Sequence, residues 1–368
     1  MNCLGRLLVC RCLSMSIAGL FRWPFRRSAS YRGQMLTPPA GLPEAALRPV
    51  LERCWGIRAR SMQYRPVGWG SHHWEVSGEV GSRWFLTADD LENKRMSQAE
   101  PLTAGFRRLR AALSAAADLR ECGAAFAVAP VPARDGELLA RVSTRFGLAV
   151  YPFVHGQSFE WAAFSSPAHR LAVLDLLAAT HTAPPAARRR ALADDFAIPH
   201  RDELEAACQA GGDARDVGPY ARPAARLIHQ HAAPIRRLLA RYDHLVTAAR
   251  TQPARAVLTH GEPHPGNTML TGGGWVLIDW DTALAAPPER DLWSLDPGDG
   301  SILGAYAALT GVTPRPLLLD LYRLRWDIAD IAVDVSRFRR PHAGSAEDNE
   351  SFGLLSSLVR KASDAGPG

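Results

Sequence analysis

The sequence predicts an α+β protein of two lobes, in which a small lobe built on an antiparallel sheet precedes a larger helical lobe. Between residues 61 and 90, apolar and polar side chains alternate in short segments separated by glycine, as they do in half-buried antiparallel strands. After Gly156, apolar residues recur instead at helical spacing, interrupted by one strand-like stretch over 255–281. A chain of 368 residues is long enough to give each lobe a core of its own.

The small lobe is predicted to combine two helices with several strands. Trp74 and Val76, and then Trp84 and Leu86, alternate with polar neighbours and mark two of the strands. A hairpin is expected around the Arg-Asp-Gly tip at 134–136, because these residues tolerate positive φ in a tight turn. In chain order, the predicted elements are a helix over 44–54, strands within 62–70, 72–81 and 82–90, a helix over 102–121, the hairpin over 126–142 and a strand over 147–154.

The larger lobe is predicted to be mostly helical. Its first helix should start at Ser166-Pro167, because a serine cap and a proline in the first turn both favour a helix start. A segment rich in Pro, Asp and Gly, over about 183–218, joins the first two helical regions. Helical patterns cover 164–182, 219–250, 290–309 and 317–338. The chain is therefore divided into an extension (1–34), a small lobe (35–155) and a helical lobe (156–368).

The extension over residues 1–34 is basic and is set apart from the fold. It contains six arginines, no acidic residue and a ten-residue apolar stretch from Cys12 to Phe21. We expect it to be disordered or to derive from upstream translation, with the working protein starting near Met35. A targeting segment and a structured extension are the alternatives.

The charge distribution argues against a nucleic-acid partner. Without the six arginines of the extension, the 43 basic residues fall to the number of acidic ones, which is 37. A neutral body lacks the basic footprint of a nucleic-acid-binding protein, and no apolar run is long enough to span a bilayer. The six scattered cysteines form no CxxC pair, so neither a disulfide framework nor a zinc ribbon is indicated. A reducing cytoplasm is the expected location.

The residues that carry chemistry lie in THGEPHPGNTML (259–270) and LIDWD (277–281). From His260 they follow an H-x-acid-x₄-N spacing, and Asp279 comes twelve residues after Asn267, across a Gly-Gly-Gly turn. Phosphoryl transfer needs a carboxylate at the attacking hydroxyl and oxygen ligands for magnesium on the nucleotide phosphates. Glu262 fits the first role, and Asn267 and Asp279 fit the second.

Two other interpretations of this segment compete with phosphoryl transfer. One is a proline-rich turn followed by an ordinary strand end. The other is a zinc deaminase, because His260 and Glu262 match an H-x-E motif and His264 adds a metal-ligand spacing. Deaminase chemistry needs a downstream P-C-x-x-C, and no cysteine follows Cys208. The order of strand, loop, hairpin and aspartate favours phosphoryl transfer over both.

These motifs resemble the aminoglycoside phosphotransferase family within the protein-kinase-like fold, and DWDTALAAPPERDLW (279–293) is most similar to the spectinomycin-phosphotransferase branch. The resemblance implies an ATP-dependent phosphotransferase acting on a small-molecule hydroxyl, with ATP and Mg²⁺ as cofactors and with nucleotide bound by the small lobe. It implies Glu262 as base, Asn267 and Asp279 as magnesium ligands, Asp291 as a structural acid behind the catalytic loop, Gly68, Gly70 and Ser71 as the loop over the phosphates, and the backbone around Tyr151, Phe153 and Val154 as the adenine site.

Two departures from the family pattern bear on activity. Glu262 stands where the family usually has Asp, and its longer side chain can still work where the pocket is adjusted to it. The strand lysine that pairs with the phosphates is missing at Thr87, and no lysine of the small lobe fits well, Lys94 lying seven residues further on. The following helix also lacks a mid-helix Glu to hold such a lysine. Arg83 and Arg141 are candidate substitutes. A catalytically silent kinase-like nucleotide-binding protein is therefore the alternative to an active enzyme.

The acceptor is expected to be a small molecule that bears an amine. Asp327, Asp330 and Asp334 fall on one face of a predicted helix, and together with Asp281 they would suit a cationic acceptor. A solvated polar face is the alternative. The expected partner is thus a small molecule rather than nucleic acid or membrane, and the expected assembly is a monomer or dimer. A role in antibiotic resistance is one branch of this interpretation.

Overall fold

The structure, a computed structural model, describes residues 38–364 apart from residues 40, 69, 162, 213 and 254 and the side chain of Val80. The extension predicted over 1–34 lies outside the described residues. Among the helices that are described, none is long and apolar enough to cross a bilayer.

A five-stranded antiparallel sheet forms the centre of the small lobe, as predicted. Its strands are β1 (Ser61–Arg65), β2 (Ser71–Ser77), β3 (Arg83–Asp90), β4 (Ala140–Arg141) and β5 (Phe146–Pro152), in the spatial order β1-β2-β3-β5-β4. Helix α1 (Glu44–Trp55) packs on one face, where Leu47 and Leu51 join Trp74, Leu86 and Val150 in a buried cluster. The alternating sequence pattern specifies this face, because side chains two residues apart in a strand point the same way.

Polar side chains occupy the opposite face of the sheet. In the register of the sheet, Thr87 lies between His73 and Ala149, and Asp89 lies beside Ser71. His73 and Thr87 are joined by a hydrogen bond of 3.3 Å. Ser71 Oγ donates a hydrogen bond of 2.7 Å to Asp89 Oδ1. This polar face is the one that the functional site uses.

The predicted hairpin is only partly present. Its tip is a tight turn in which Gly136 adopts φ 84°. The first arm is not a hairpin strand, because its backbone amides donate to the carbonyls of Leu277 and Val150 instead. Pro130 and Pro132 account for the difference, since proline has no N–H to donate to a β-ladder.

Helices make up most of the second lobe, as predicted, but the sequence analysis missed two of them and merged four others into two. Helix α2 (Leu102–Glu121) precedes this lobe. The helices of the lobe are α3 (Pro167–His181), α4 (Arg201–Gln209), α5 (Ala221–Gln230), α6 (Ala232–Arg250), α7 (Glu289–Leu295), α8 (Ser301–Thr310), α9 (Pro316–Phe338) and α10 (Ala346–Asp364). The regions predicted over 219–250 and 290–309 are each two helices. Pro234 lies in the first turn of α6, where proline favours a new helix start. Helix α4 was missed because its segment has a loop-like composition, and α10 was not predicted.

Helix α2 lies between the sheet and the helical lobe. Its alanine-rich face, with Ala112, Ala115 and Ala116, packs into a core that includes Leu177 and Leu277 of the second lobe. Its opposite side contributes to a small cluster beneath the sheet. A second large core joins α4, α5, α6, α9 and α10. The position of α2 allows it to influence residues at the boundary between the lobes.

Two small sheets carry the segment 259–281. Strand β7 (Val257–Thr259) pairs with β10 (Leu284–Ala286), and β8 (Thr268–Thr271) pairs with both β6 (Gly156–Ser158) and β9 (Gly274–Leu277). The strand-like stretch predicted over 255–281 is therefore confirmed. Gly274, at the end of the Gly-Gly-Gly turn, adopts φ 107°, a conformation that glycine reaches without steric cost. The division of the chain at residue 156 stays a prediction.

Candidate active site

The loop between β7 and β8 is held from behind by a buried carboxylate. Asp291, on α7, accepts hydrogen bonds from the backbone amides of His260 at 2.9 Å and Gly261 at 2.6 Å. It also contacts His181 Nε2 at 3.0 Å. Burial acts to raise the pKa of Asp291, but the hydrogen bond with His181 and the positive neighbours outweigh it, so the pKa lies below its ordinary value. Asp291 therefore stays ionised and fixes the loop, which is the role that the resemblance implied.

His260 and Gly261 shape the start of this loop. His260 Nε2 lies 2.9 Å from the carbonyl oxygen of Ile278, and the amide of Glu262 donates to His260 Nδ1 at 3.3 Å. These partners assign the proton to Nε2, and burial lowers the pKa of His260 so that the ring stays neutral. Gly261 adopts φ 101°, where an added Cβ would lie 2.4 Å from Arg290 Nη2. The tight turn before Glu262 therefore requires glycine.

Glu262 has the electrostatic properties of a proton acceptor. Burial, followed by the charge of Asp281, raises its pKa to about 7. Its backbone carbonyl accepts a hydrogen bond of 3.0 Å from Asn267 Nδ2. A carboxyl group that titrates near neutrality can take a proton from a hydroxyl and release it again, which is what general-base catalysis requires.

The β8–β9 hairpin brings Asn267 and Asp279 together. The backbone amide of Ile278 donates to the carbonyl of Asn267 at 3.0 Å, so the residue before Asp279 is bonded directly to Asn267. Because Asn267 uses Nδ2 for its bond to Glu262, its amide oxygen is the atom left to act as a ligand. Asp279 adopts φ 62°, a left-handed conformation that is uncommon outside glycine and is concentrated at functional sites.

Carboxylates crowd around Asp279. Burial, followed by the charges of Asp281, Glu262 and Asp89, raises the pKa of Asp279 well above its ordinary value, and Lys94 opposes the shift. This excess of negative charge fits a divalent cation. Among the residues that the structure describes, no three His, Cys, Asp or Glu side chains form a cage around one ion. Proteins commonly bind magnesium through one or two such oxygen ligands, with substrate phosphates completing the coordination.

We call Asp89, Glu262, Asp279 and Asp281 the carboxylate cluster, and Lys94 is the cation inside it. The sequence analysis judged Lys94 a poor fit. Its Nζ lies 2.5 Å from Asp281 Oδ2 and 3.2 Å from Asp89 Oδ1. The chain turns back over residues 91–94 after β3, so that Lys94 returns to the face that holds Asp89. Counting along an extended strand had placed it out of reach. The scarcity of lysine was the available signal, since Lys361 is the only other lysine in the chain.

The two arginines considered as substitutes are engaged elsewhere. Arg83 forms an ion pair within the sheet, and its guanidinium carbon lies 3.8 Å from the ring centre of Phe153. The guanidinium carbon of Arg141 lies 4.2 Å from the ring centre of Phe106. Each makes its contacts outside the carboxylate cluster, so the structure does not support either arginine as the substitute.

The glycine loop before β2 has the backbone geometry that close approach to a ligand needs. Gly68 adopts φ 73° and Gly70 adopts φ 80°. A Cβ on Gly68 would lie 3.3 Å from His73 Nε2, whereas one on Gly70 would meet nothing within 4 Å. Ser71, predicted to belong to this loop, is buried at the start of β2 and bonded to Asp89.

The predicted adenine site lies where β5 ends and the chain crosses to the second lobe. Tyr151 faces the carboxylate cluster, since burial and then the charge of Asp89 raise its pKa well above the ordinary value. The backbone amide of Phe153 donates a long hydrogen bond of 3.4 Å to the carbonyl of Arg83. Val154 is half-buried in the following link.

The aspartates of α9 do not form the shared acidic face that was predicted. Asp330 lies near the catalytic loop, where its charge contributes to the raised pKa of Glu262. Asp327 forms an ion pair of 2.8 Å with Lys361 on α10. Asp334 is only 7% exposed. The 23-residue helix packs against α4, α6, α7 and α10, so side chains that share a face in the sequence pattern meet different neighbours.

Four aromatic side chains line one side of the catalytic loop, and we call them the aromatic wall: Trp161, His264, Trp293 and Trp326. Trp161 stacks on His264 with ring centres 4.1 Å apart and an interplanar angle of 12°. Trp326 lies 6.0 Å from Trp161 and 5.7 Å from Trp293, measured between ring centres. Because His264 Nε2 is 3.8 Å from Glu262 Oε2, the wall borders the proposed base.

Comparison with known proteins identifies the family. Residues 63–316 match the model of the phosphotransferase enzyme family. The Streptomyces griseus protein StrN is 33% identical over 244 residues, which cover 64% of this chain and 72% of StrN. Spectinomycin phosphotransferase APH(9)-Ia, in complex with ADP and spectinomycin, has a TM-score of 0.61 at 18% identity, over 86% of this chain and 97% of that chain.

The amicoumacin kinase hAmiN, in complex with AMP-PNP, Ca²⁺ and Ami, has a TM-score of 0.56 at 13% identity, over 89% of this chain and 95% of that chain. These likenesses confirm the two-lobed kinase-like fold predicted from the sequence. Since the family model spans well over half of the chain, this protein is a member of the phosphotransferase enzyme family.

Proposed function

We propose that this protein transfers the γ-phosphate of ATP to a hydroxyl group of a small, amine-bearing molecule, with Mg²⁺ as the metal. One observation carries the proposal. The Asp291-anchored loop and the β8–β9 hairpin hold Glu262, Asn267 and Asp279 together, with a base of pKa about 7 beside two metal-type ligands. Relatives of the same fold have been captured with ADP and with AMP-PNP, which supports ATP as the phosphate donor.

In this mechanism the two lobes divide the work of binding ATP. The adenine would lie against the backbone of Tyr151, Phe153 and Val154, and the glycine loop containing Gly68 and Gly70 would cover the phosphates. Asn267 and Asp279 would hold magnesium, which when bound neutralises negative charge on the transferring phosphate. The site residues themselves mainly position the reactants, since little covalent chemistry is left for the protein to do.

Glu262 would handle the proton of the acceptor. The acceptor oxygen forms a bond to the γ-phosphorus while the bond from that phosphorus to the ADP oxygen breaks, and the hydroxyl proton passes to Glu262. A pKa of about 7 for Glu262 is matched to this task, because a base is most effective when its pKa lies near the working pH.

The acceptor site is proposed between the catalytic loop and α9. The flat indole rings of Trp161 and Trp326 offer surfaces on which a sugar or cyclitol ring can pack, and a cationic amine gains from the aromatic faces. Asp330 would supply the complementary charge. Spectinomycin and amicoumacin are bound by relatives of the same fold, so an antibiotic acceptor is one branch of the proposal.

The silent-binder alternative is less well supported than the active enzyme. A cation and a carboxyl group of suitable pKa are both present at the site, which removes the two sequence-based reasons for expecting inactivity. A cytoplasmic location, where ATP is plentiful, and a monomeric or dimeric state complete the proposal.

The test is ATP turnover with and without a panel of aminoglycosides, spectinomycin-like aminocyclitols, choline and amino sugars. We expect acceptor-dependent ADP release with at least one of them. Glu262→Gln should retain nucleotide binding while lowering transfer by ~10²–10⁴-fold, the usual range for loss of a general base. Magnesium-dependent ATP binding without turnover on any acceptor would favour the silent binder, and unchanged turnover in Glu262→Gln would remove Glu262 from the mechanism.

A further inference from the structure

The turn after β3 delivers an ammonium group to the place where the nucleotide phosphates are expected. We propose that Lys94 binds the phosphates of ATP, replacing the strand lysine whose position is occupied by Thr87. This inference rests on the proposed function, because it requires ATP to bind in the cleft. It assigns a substrate-binding role to a residue that lies outside the strand in which the family pattern places the lysine.

The contacts of Lys94 leave it able to bind a further anion. An ammonium group has three N–H donors, and among the described residues the contacts to Asp281 at 2.5 Å and Asp89 at 3.2 Å use two of them. The side chain is 20% exposed, so the charge is sheltered but reachable. Burial acts to lower the pKa of Lys94, but the two carboxylates raise it above its ordinary value, so the ammonium remains charged.

Asp89 connects this ammonium to the glycine loop. Its Oδ1 accepts a hydrogen bond of 2.7 Å from Ser71 Oγ and lies 3.2 Å from Lys94 Nζ. Ser71 immediately follows the loop that contains Gly68 and Gly70. Strand β3 therefore supplies the acid, and the turn that follows it supplies the lysine. This differs from a strand lysine that is held by an acid from a helix.

Helix α2 holds the backbone of Lys94 rather than its ammonium group. Arg108 Nη2 donates a hydrogen bond of 2.6 Å to the carbonyl oxygen of Lys94, and Arg108 is itself paired with Glu100. At Gly105 an added Cβ would lie 3.2 Å from both the Cβ and the carbonyl oxygen of Lys94, so the helix and loop are in close contact. This explains how α2 can lack a mid-helix Glu and still fix the lysine.

The first experiment uses the unaltered protein and exploits its two lysines. An acyl-phosphate derivative of ATP transfers its acyl group to an amine that lies beside the nucleotide phosphates. Peptide mapping by mass spectrometry should find the label on Lys94, and excess Mg–AMP-PNP should suppress it. Equal labelling of Lys94 and Lys361, or labelling that nucleotide does not suppress, would overturn the proposal.

The second experiment measures nucleotide binding by calorimetry in Lys94→Met, with Lys361→Met as the matched control. Loss of a charge-assisted contact should weaken Mg–AMP-PNP by ~10–100-fold, leave adenosine unchanged and leave the control like the native protein. Unchanged adenosine binding also reports that the variant folds. If native protein fails to bind Mg–AMP-PNP, the proposed function fails. If native protein and Lys94→Met bind it equally, only the role of Lys94 fails.

The third experiment separates positioning from folding. Arg108→Met should slow acyl-phosphate labelling of Lys94 and raise KM for ATP more than it lowers kcat, because the loop loses its anchor. The exposed neighbour Arg107 provides the control Arg107→Met, which should behave like the native protein in both measurements. Equal behaviour of the two variants would contradict the role given to Arg108.

Discussion

At the scale of single residues, Glu262 is the acid that the resemblance to the family would lead us to expect as Asp. The extra methylene moves the carboxyl group outward, and its neighbours constrain both ends of the residue. His264 Nε2 lies 3.8 Å from Glu262 Oε2, and Asn267 Nδ2 donates a hydrogen bond of 3.0 Å to the Glu262 backbone carbonyl. A residue can be longer than the usual one and still be correctly placed, provided that its neighbours fix the position of its end.

Glu262→Asp tests whether the pocket is adapted to the longer side chain. We expect it to retain nucleotide affinity and to lose part of its turnover, with less effect than Glu262→Gln, because the carboxylate remains but stands back from the acceptor. The measurement is kcat and KM for both substrates. Turnover above that of the native protein would show that Glu262 is a handicap.

Glu262 should also make the stability of the protein depend on pH. Its pKa of about 7 in the folded protein lies above its ordinary value of 4.5, so between these values the folded state binds more protons than the unfolded state. Stability attributable to this group therefore falls as pH rises through that window. With magnesium removed by a chelator, Glu262→Gln should unfold at a higher temperature than native protein at pH 8, and the difference should shrink at pH 5. A constant difference across this range would contradict the raised pKa.

At the scale of elements, α7 acts as the support of the catalytic loop. Asp291, fully buried, accepts from two consecutive loop amides, and His181 of α3 completes the set. On the other side, His260 Nε2 contacts the carbonyl oxygen of Ile278, the residue that directly follows strand β9. The loop is therefore fixed by a helix and a strand that are themselves part of the same core.

Asp291→Asn should weaken both the fold and the chemistry. Replacing one partner of a buried, charge-assisted set costs ~3–5 kcal/mol, and the loosened loop should lower kcat with little change in KM for ATP. Asp320→Asn, on the half-exposed Asp320–Arg323 pair, is the control and should change the free energy of unfolding by less than ~0.5 kcal/mol. Denaturant unfolding and steady-state kinetics are the measurements.

Sequence patterns predicted the elements whose information is local. The strands of the first sheet, α2 and the cap at Ser166 follow from periodicity and capping, and Ser166 Oγ does accept from the amide of His169 at 3.1 Å. The missed features depend on distant partners. The proline-containing segment before Gly136 forms backbone hydrogen bonds with Leu277 and Val150 instead of a hairpin. The contact of Lys94 with Asp281 depends on the turn after β3, which the sequence pattern does not show. The metal-binding roles of Asn267 and Asp279 remain predictions that the geometry supports.

At the scale of the whole molecule, the contact between Lys94 and Asp281 joins a loop of the small lobe to the helical lobe. The two residues are 187 positions apart in sequence, and Asp279 lies beside them. A nucleotide that enters this cleft would contact groups from both lobes, so its binding should stabilise the molecule as a unit.

Magnesium and nucleotide should therefore raise the melting temperature together. At a nucleotide concentration of 100 Kd, the expected gain in the free energy of unfolding is ~2.7 kcal/mol. Asp279→Asn, which tolerates the left-handed backbone while removing the charge, should abolish the magnesium-dependent part of this gain. Thermal scans with nucleotide alone, with magnesium alone and with both make the measurement. A full gain in Asp279→Asn would show that this carboxylate does not serve the metal.

The turn over residues 91–94 has a consequence for how inactive relatives are recognised. A chain that lacks lysine at the expected strand position is readily classed as a pseudoenzyme, yet here the short turn returns Lys94 to the same face of the sheet, beside Asp89. Natural selection acts on where a positive charge lies in space and not on its position along the strand. Members of this family with threonine in the strand should therefore be inspected for a lysine in the following turn, paired with an acid on the strand, before they are classed as catalytically inactive.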